Sequence, residues 1–223
     1  MKKVLQFLIS TCFLLLMTTP GFAALFSFDN ITNNNAGDAT IGEEQLSMDV
    51  TDAGSGQVLF TFLNAGPEAS SITDIYFYDD VPLMSFNSFV YNTTGVVNFT
   101  DDGARPADLP GGNDSLSSFS SNYSYHSASP HLQQNGINPA EALGILFDLS
   151  STDYDDIISS LMEESMVVGI HVQGFTSEGS ESFINNPAPA PAPVPEPATM
   201  LLLGTGLVGL AGASRKKILK KRR

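Results

Sequence analysis

The chain has 223 residues, one cysteine, no tryptophan and a net charge of −14. Nine of its ten basic residues lie at the two ends, so the stretch from Ala24 to Pro197 sets Arg105 alone against all 24 carboxylates and carries −23. Such a body repels nucleic acid and anionic membrane surfaces. The single cysteine, Cys12, precedes this stretch and leaves it without disulfides, thiol catalysis or thiolate metal sites.

In chain order, Lys2 and Lys3 come first, followed by an apolar run from Val4 to Met17 and then Gly21-Phe22-Ala23. This predicts a signal helix within a secretory signal peptide over 1–23. Signal peptidase would cut between Ala23 and Ala24, with small residues one and three positions before the cut. Residues 24–184 suffice for one domain with a sizeable core. Their apolar pattern is mostly two-fold: Leu46, Met48 and Val50; Val58, Phe60 and Phe62; Ile75 and Phe77; Val97 and Phe99; Leu143, Ile145, Phe147 and Leu149; Val168, Ile170 and Val172. Breakers such as Asp52-Ala53-Gly54-Ser55-Gly56 and Asn64-Ala65-Gly66-Pro67 separate the runs. The pattern predicts a mainly β fold, an antiparallel β-sandwich of jelly-roll type.

One short helix is expected after Thr152 or Asp153, with Asp155 and Asp156 at its positive end and Ile157, Ile158, Leu161 and Met162 forming an apolar stripe against the sandwich. Between Arg105 and Gly136 the periodicity disappears into Ser, Asn, Gly and Pro, which predicts a long loop carrying Phe119, Tyr123 and Tyr125. Residues 185–194 form a Pro-Ala linker, favouring polyproline II at about 3.1 Å per residue.

The final segment, 195–223, has three parts. Pro195-Glu196-Pro197 comes first, then an apolar run over 198–213 predicted as a transmembrane helix, then a basic tail over 214–223. Sixteen residues at about 1.5 Å rise cover roughly 24 Å, short of a hydrocarbon core of about 30 Å. Snorkelling by Arg215, Lys216 and Lys217 makes up the difference. The basic end would stay cytoplasmic and leave the body outside the inner membrane.

Val194-Pro195-Glu196-Pro197, the Thr199–Leu207 run and Arg215-Lys216-Lys217 together resemble the PEP-CTERM sorting signal of Gram-negative bacteria. The resemblance implies that Pro195, Glu196 and Pro197 are recognised by exosortase, a membrane-embedded protease that removes the helix. It also implies a protein of the cell surface or extracellular matrix associated with exopolysaccharide and biofilm. Within the body, Asn138-Pro139-Ala140-Glu141-Ala142-Leu143, Gly169–Phe175 and Ser180–Phe183 resemble segments of other PEP-CTERM proteins that have no assigned activity.

Chemical motifs are sparse. The sequence contains no G-x-S-x-G elbow, H-E-x-x-H helix or P-loop. His171 alternates with Ile170 and Val172 and is expected to point away from the core, while His126 and His131 fall in the long loop. Asp79, Asp80, Asp101 and Asp102 are hard oxygen donors near strand ends and would suit calcium as a cofactor. Tyr123 and Tyr125 are the candidate platforms for a sugar ring. Three readings follow: a non-enzymatic matrix protein, a carbohydrate-binding module, and a permanently membrane-anchored surface protein. A polysaccharide hydrolase would need two carboxyls facing across a sugar, which pairs in the sequence do not establish.

Overall fold

A computed structural model describes residues 23–79, 83–91, 95–112 and 121–186. The expected signal helix, the linker beyond Asn186, the C-terminal helix, Phe119 and Asp80 lie outside them. The strands are β1 Ala23–Asn30, β2 Leu46–Gly54, β3 Gln57–Asn64, β4 Ser71–Asp79, β5 Met84–Val90, β6 Phe99–Thr100, β7 Ser121–Ser127, β8 Glu141–Leu149, β9 Met166–Gln173 and β10 Glu181–Asn185. The helices are α1 Ala36–Gln45, α2 Leu132–Asn135 and α3 Tyr154–Met162.

All six alternating runs contribute to strands, and their apolar sides meet in one core. Val58, Phe60 and Phe62 of β3 and Leu143, Ile145 and Phe147 of β8 are fully buried, as are Ile75 and Phe77 of β4 and Val168, Ile170 and Val172 of β9. The strands pair antiparallel in the order β5-β8-β3-β2-β1-β10-β9-β4-β7-β6.

This order corrects the expected sandwich. Residues Ala23–Ser27 of β1 pair with β2, and Phe28–Asn30 of the same strand pair with β10. One strand therefore serves both halves, and the result is a single ten-stranded sheet nearly closed into a barrel. The edge strands β5 and β6 are held by side chains: the Tyr91 hydroxyl bonds to the backbone of Phe99, and the Phe89 and Phe99 rings lie 6.5 Å apart. At the other end of β5, the Tyr123 hydroxyl donates to Met84 O at 2.7 Å.

The helices also exceed the single one expected. α3 forms as predicted: the Asp153 carboxylate accepts from Asp156 N, Asp156 reciprocates, and Ile157 and Leu161 are buried. Met162 is 50% exposed, so the inward stripe stops one residue short. α1 has no apolar stripe and escaped a reading based on periodicity. It is capped by the Asn35 side chain, which accepts from Gly37 N at 2.9 Å. It docks by close approach, because the Phe183 ring occupies the space where a Cβ on Gly42 would sit. The long loop over 105–136 contains both β7 and α2. Its sequence Ser-Asn-Tyr-Ser-Tyr-His-Ser alternates, but the inward face carries Tyr123, Tyr125 and Ser127 and no aliphatic side chain, so the apolar signal is faint.

β4 and β9 are buried on both faces. Inside lies the main core; outside, Tyr76, Tyr78 and Val167 pack under Ala104 and Leu109. Residues 101–112 thus form a strap across the outer face, and Gly169 admits it, since a Cβ there would lie 2.6 Å from Leu109 Cδ2.

At the centre, the Phe77 ring meets Phe60 at 5.1 Å and Phe147 at 5.0 Å in edge-on contacts, with Phe62 and Tyr125 each at 6.2 Å. Truncation there removes packing from both halves of the sheet. Phe77→Ala is expected to lower stability by about 3–5 kcal/mol, read as a lower urea midpoint with an unchanged slope.

Candidate functional site

Cross-strand register builds a polar row on the outer face. Thr100 faces His126, His126 faces Asp74, Asp74 faces His171, and His171 faces Ser182. The strap lies on this row: His126 Nδ1 is 2.7 Å from Gly103 O, Arg105 N donates to Asp74 Oδ1 at 3.0 Å, and the Tyr76 hydroxyl donates to Pro106 O at 2.8 Å. His171 does face away from the barrel interior, as expected. It is nonetheless only 7% exposed, with Nδ1 3.4 Å from Asp74 Oδ2. His126 belongs to β7 and is equally buried, whereas His131 precedes α2 and is exposed.

Hydroxyl, imidazole and carboxylate follow one another at Ser182, His171 and Asp74, the sequence of groups that nucleophilic catalysis uses. The required contact is not made, because Ser182 Oγ is buried without a hydrogen-bond partner. Among the described residues, no three His, Cys, Asp or Glu side chains gather to hold a metal ion.

Of the calcium candidates among the described residues, Asp79 lies apart from Asp101 and Asp102. Asp79 ends β4, is 8% exposed, and accepts from Leu83 N at 3.0 Å. Asp101 and Asp102 lie at the opposite end of β4, beside His126 and its partner Asp74, five residues or about 17 Å along the strand. Asp102 is already engaged by Thr100 Oγ1, His126 Nδ1 at 3.3 Å and Arg105 Nη2 at 3.2 Å. The Thr100 hydroxyl first, then the His126 and Arg105 side chains, hold its carboxyl below the usual range.

Of the two aromatic platforms, Tyr125 is overturned. It is 2% exposed, enclosed by Phe77, Phe86, Phe89 and Phe147 at 5.2–6.3 Å, and presents no face to solvent. Tyr123 is half-buried beside Phe147 at 5.6 Å. Ala23 and Ala24, the expected cut position, open β1 opposite Thr51 and Val50.

Glu181 is the most heavily bonded carboxylate described. Only 1% exposed, it accepts from Asn35 N at 2.6 Å, Thr32 Oγ1 at 2.5 Å, and Asn34 N and Asn30 Nδ2 at 3.1 Å each. Burial alone would raise its pKa; the hydrogen bonds from Thr32, Asn35, Asn30 and Asn34 together outweigh burial and hold the carboxyl below the ordinary glutamate range. They tie the β1–α1 connection to β10.

An open pocket of about 400 Å³ lies between the β3–β4 turn, α2 and the turn before β8. Pro67, Ala69, Ser70 and Ser71 form one wall; Gln133, Gln134, Asn138, Pro139 and Gly174 complete it. Asn138, Pro139 and Gly174 come from two of the body segments noted above for their resemblance to other proteins. The sequence does not bring these positions together, because the strands that gather them are far apart in the chain.

Among curated proteins and among solved structures, none matches the chain. A family model, the PEP-CTERM protein-sorting motif, matches residues 193–216. The chain carries a PEP-CTERM sorting motif. Pro195, Glu196 and Pro197 fall inside it, and it implies a secreted protein that exosortase processes, with a C-terminal anchor that is cleaved and a final place at the cell surface. Residues 186–192 alone separate β10 from the PEP-CTERM motif. Asn185 ends β10, with its Oδ1 accepting from Val168 N at 2.7 Å, and Asn186 N still donates to Ser27 O of β1 at 2.9 Å.

Glu181 therefore secures the strand from which the motif departs. Glu181→Gln is expected to cost about 1–3 kcal/mol by turning an amide NH₂ toward donors. Because the folded carboxyl lies below its unfolded value, the wild-type contribution is whole above the unfolded pKa and disappears as pH falls through the folded one. Urea unfolding across acidic pH should show the gap between wild type and variant closing.

Proposed function

We infer that the body is a non-enzymatic surface or extracellular-matrix protein. It is exported after signal peptidase cuts between Ala23 and Ala24. The 198–213 helix anchors it transiently in the inner membrane until exosortase trims it, and it then associates with exopolysaccharide. The observation that carries this reading is the sorting motif over 193–216.

Two further observations support it. The excess of carboxylates keeps an exported body soluble and apart from anionic surfaces. The Ser182-His171-Asp74 row is buried beneath other side chains with its hydroxyl unengaged, an arrangement of structural and not catalytic kind. In this reading the body requires no cofactor. A carbohydrate-binding module is the second reading, favoured by the open polar pocket beside α2.

Intact mass and fractionation in the host, with and without its exosortase, test the assignment. The mature form should end near Pro197 and leave the inner membrane only when the protease is present. A tail retained in both strains would make the segment a permanent anchor and remove the matrix reading.

A further inference from the structure

We propose that the pocket between the β3–β4 turn and α2 binds a neutral saccharide, with the side-chain amides of Gln133 and Gln134 as its principal hydrogen-bonding groups. This deepens the matrix reading, on which it rests, by naming a site and a ligand class.

The volume of about 400 Å³ falls in the range of roughly 300–1,000 Å³ typical of small-molecule sites. The walls are fixed by the protein's own bonds. Ser71 Oγ donates to Gln133 O at 2.8 Å, and Asn138 Nδ2 donates to Gly136 O at 3.0 Å and Gln134 O at 3.2 Å. Ser70 Oγ accepts from Gln45 Nε2 at 2.5 Å and Asn64 Nδ2 at 3.1 Å. Isolated bridging between Ile72 and Ile137 joins the two walls beneath. Against this fixed frame, no protein group among the described residues hydrogen-bonds the side-chain amides of Gln133 and Gln134. The Gln133 amide arches over Gly174, 3.7 Å from where a Cβ would be.

The lining decides the class. Every lining side chain is uncharged, and none is aromatic. An anion finds no cation there and meets the field of a body carrying −23. A cation finds neither a carboxylate in the lining nor a ring face to sit on. Each glutamine amide offers both donors and an acceptor, which matches vicinal hydroxyls that must give and receive at once. The Pro67 and Pro139 rings and the Ala69 methyl supply the apolar surface that the C–H face of a sugar ring covers.

Calorimetry on the mature protein purified from its host tests this, with neutral hexose oligosaccharides and their uronic-acid counterparts as probes. Neutral oligosaccharides should bind, and uronic ones at least tenfold more weakly. The double variant Gln133→Ala/Gln134→Ala changes only exposed side chains; it should lose at least tenfold in affinity while its urea midpoint stays in place. Absence of binding by every neutral probe, equal binding of uronic probes, or full binding by the double variant would each overturn the proposal. Trimming by exosortase is measured separately, so a failure of binding and a failure of the matrix reading are told apart.

Discussion

Scarcity of cations governs how this body is held together. With Arg105, paired to Asp102, as its only lysine or arginine, the body cannot match its other carboxylates with lysine or arginine, and several are held by neutral donors instead. Glu181 gathers two backbone amides, a hydroxyl and a carboxamide. Asp148 is held by Gln57 Nε2 at 2.8 Å and Asn87 Nδ2 at 2.9 Å. Asp156 takes the Thr152 hydroxyl at 2.8 Å and closes the cap of α3, and Asp38 accepts from Ser177. Bonds of this kind retain directionality at ionic strengths that screen exposed ion pairs. They suit a protein that works outside the cell.

Apolar burial supplies the rest. The core is aromatic at its centre and continuous across both halves of the sheet, so Phe60, Phe77 and Phe147 join strands that share no backbone bonds, β4 with β3 and with β8. The barrel seam follows the same logic. Where β5 and β6 lack a ladder between them, ring contacts and the hydroxyls of Tyr91 and Tyr123 bridge the gap.

Legibility in the sequence tracks apolar contrast. β2, β3, β8 and β9 were readable because large apolar residues alternate with polar ones or repeat on one face, and α3 because its cap and stripe are local. β7 and α1 were not, because tyrosine, alanine and glycine carry their packing and none of these gives a clear period. The strap was invisible for a different reason: nothing local says that the outer sides of β4 and β9 will be covered, although Tyr76, Tyr78 and Val167 on those sides were available to be covered. The sorting motif was fully readable, since its information is contiguous. The pocket was not, since its walls come from residues 67–71, 133–139 and 174.

The pairing of β1 with β10 joins Phe28 to Asn185, nearly the whole length of the body apart. A chain crossing a membrane from its N-terminus presents β1 first and β10 last. Loop-closure entropy makes so distant a contact late to form. Until β10 arrives, the end of β1 is an unpaired strand edge, and Glu181 has not yet reached the donors of the β1–α1 connection. Completion of the fold therefore coincides with emergence of the last body residues, immediately ahead of the linker. In a chain exported in that direction, the folded body would mark that β10 has crossed, with only residues 186–192 left before the sorting motif.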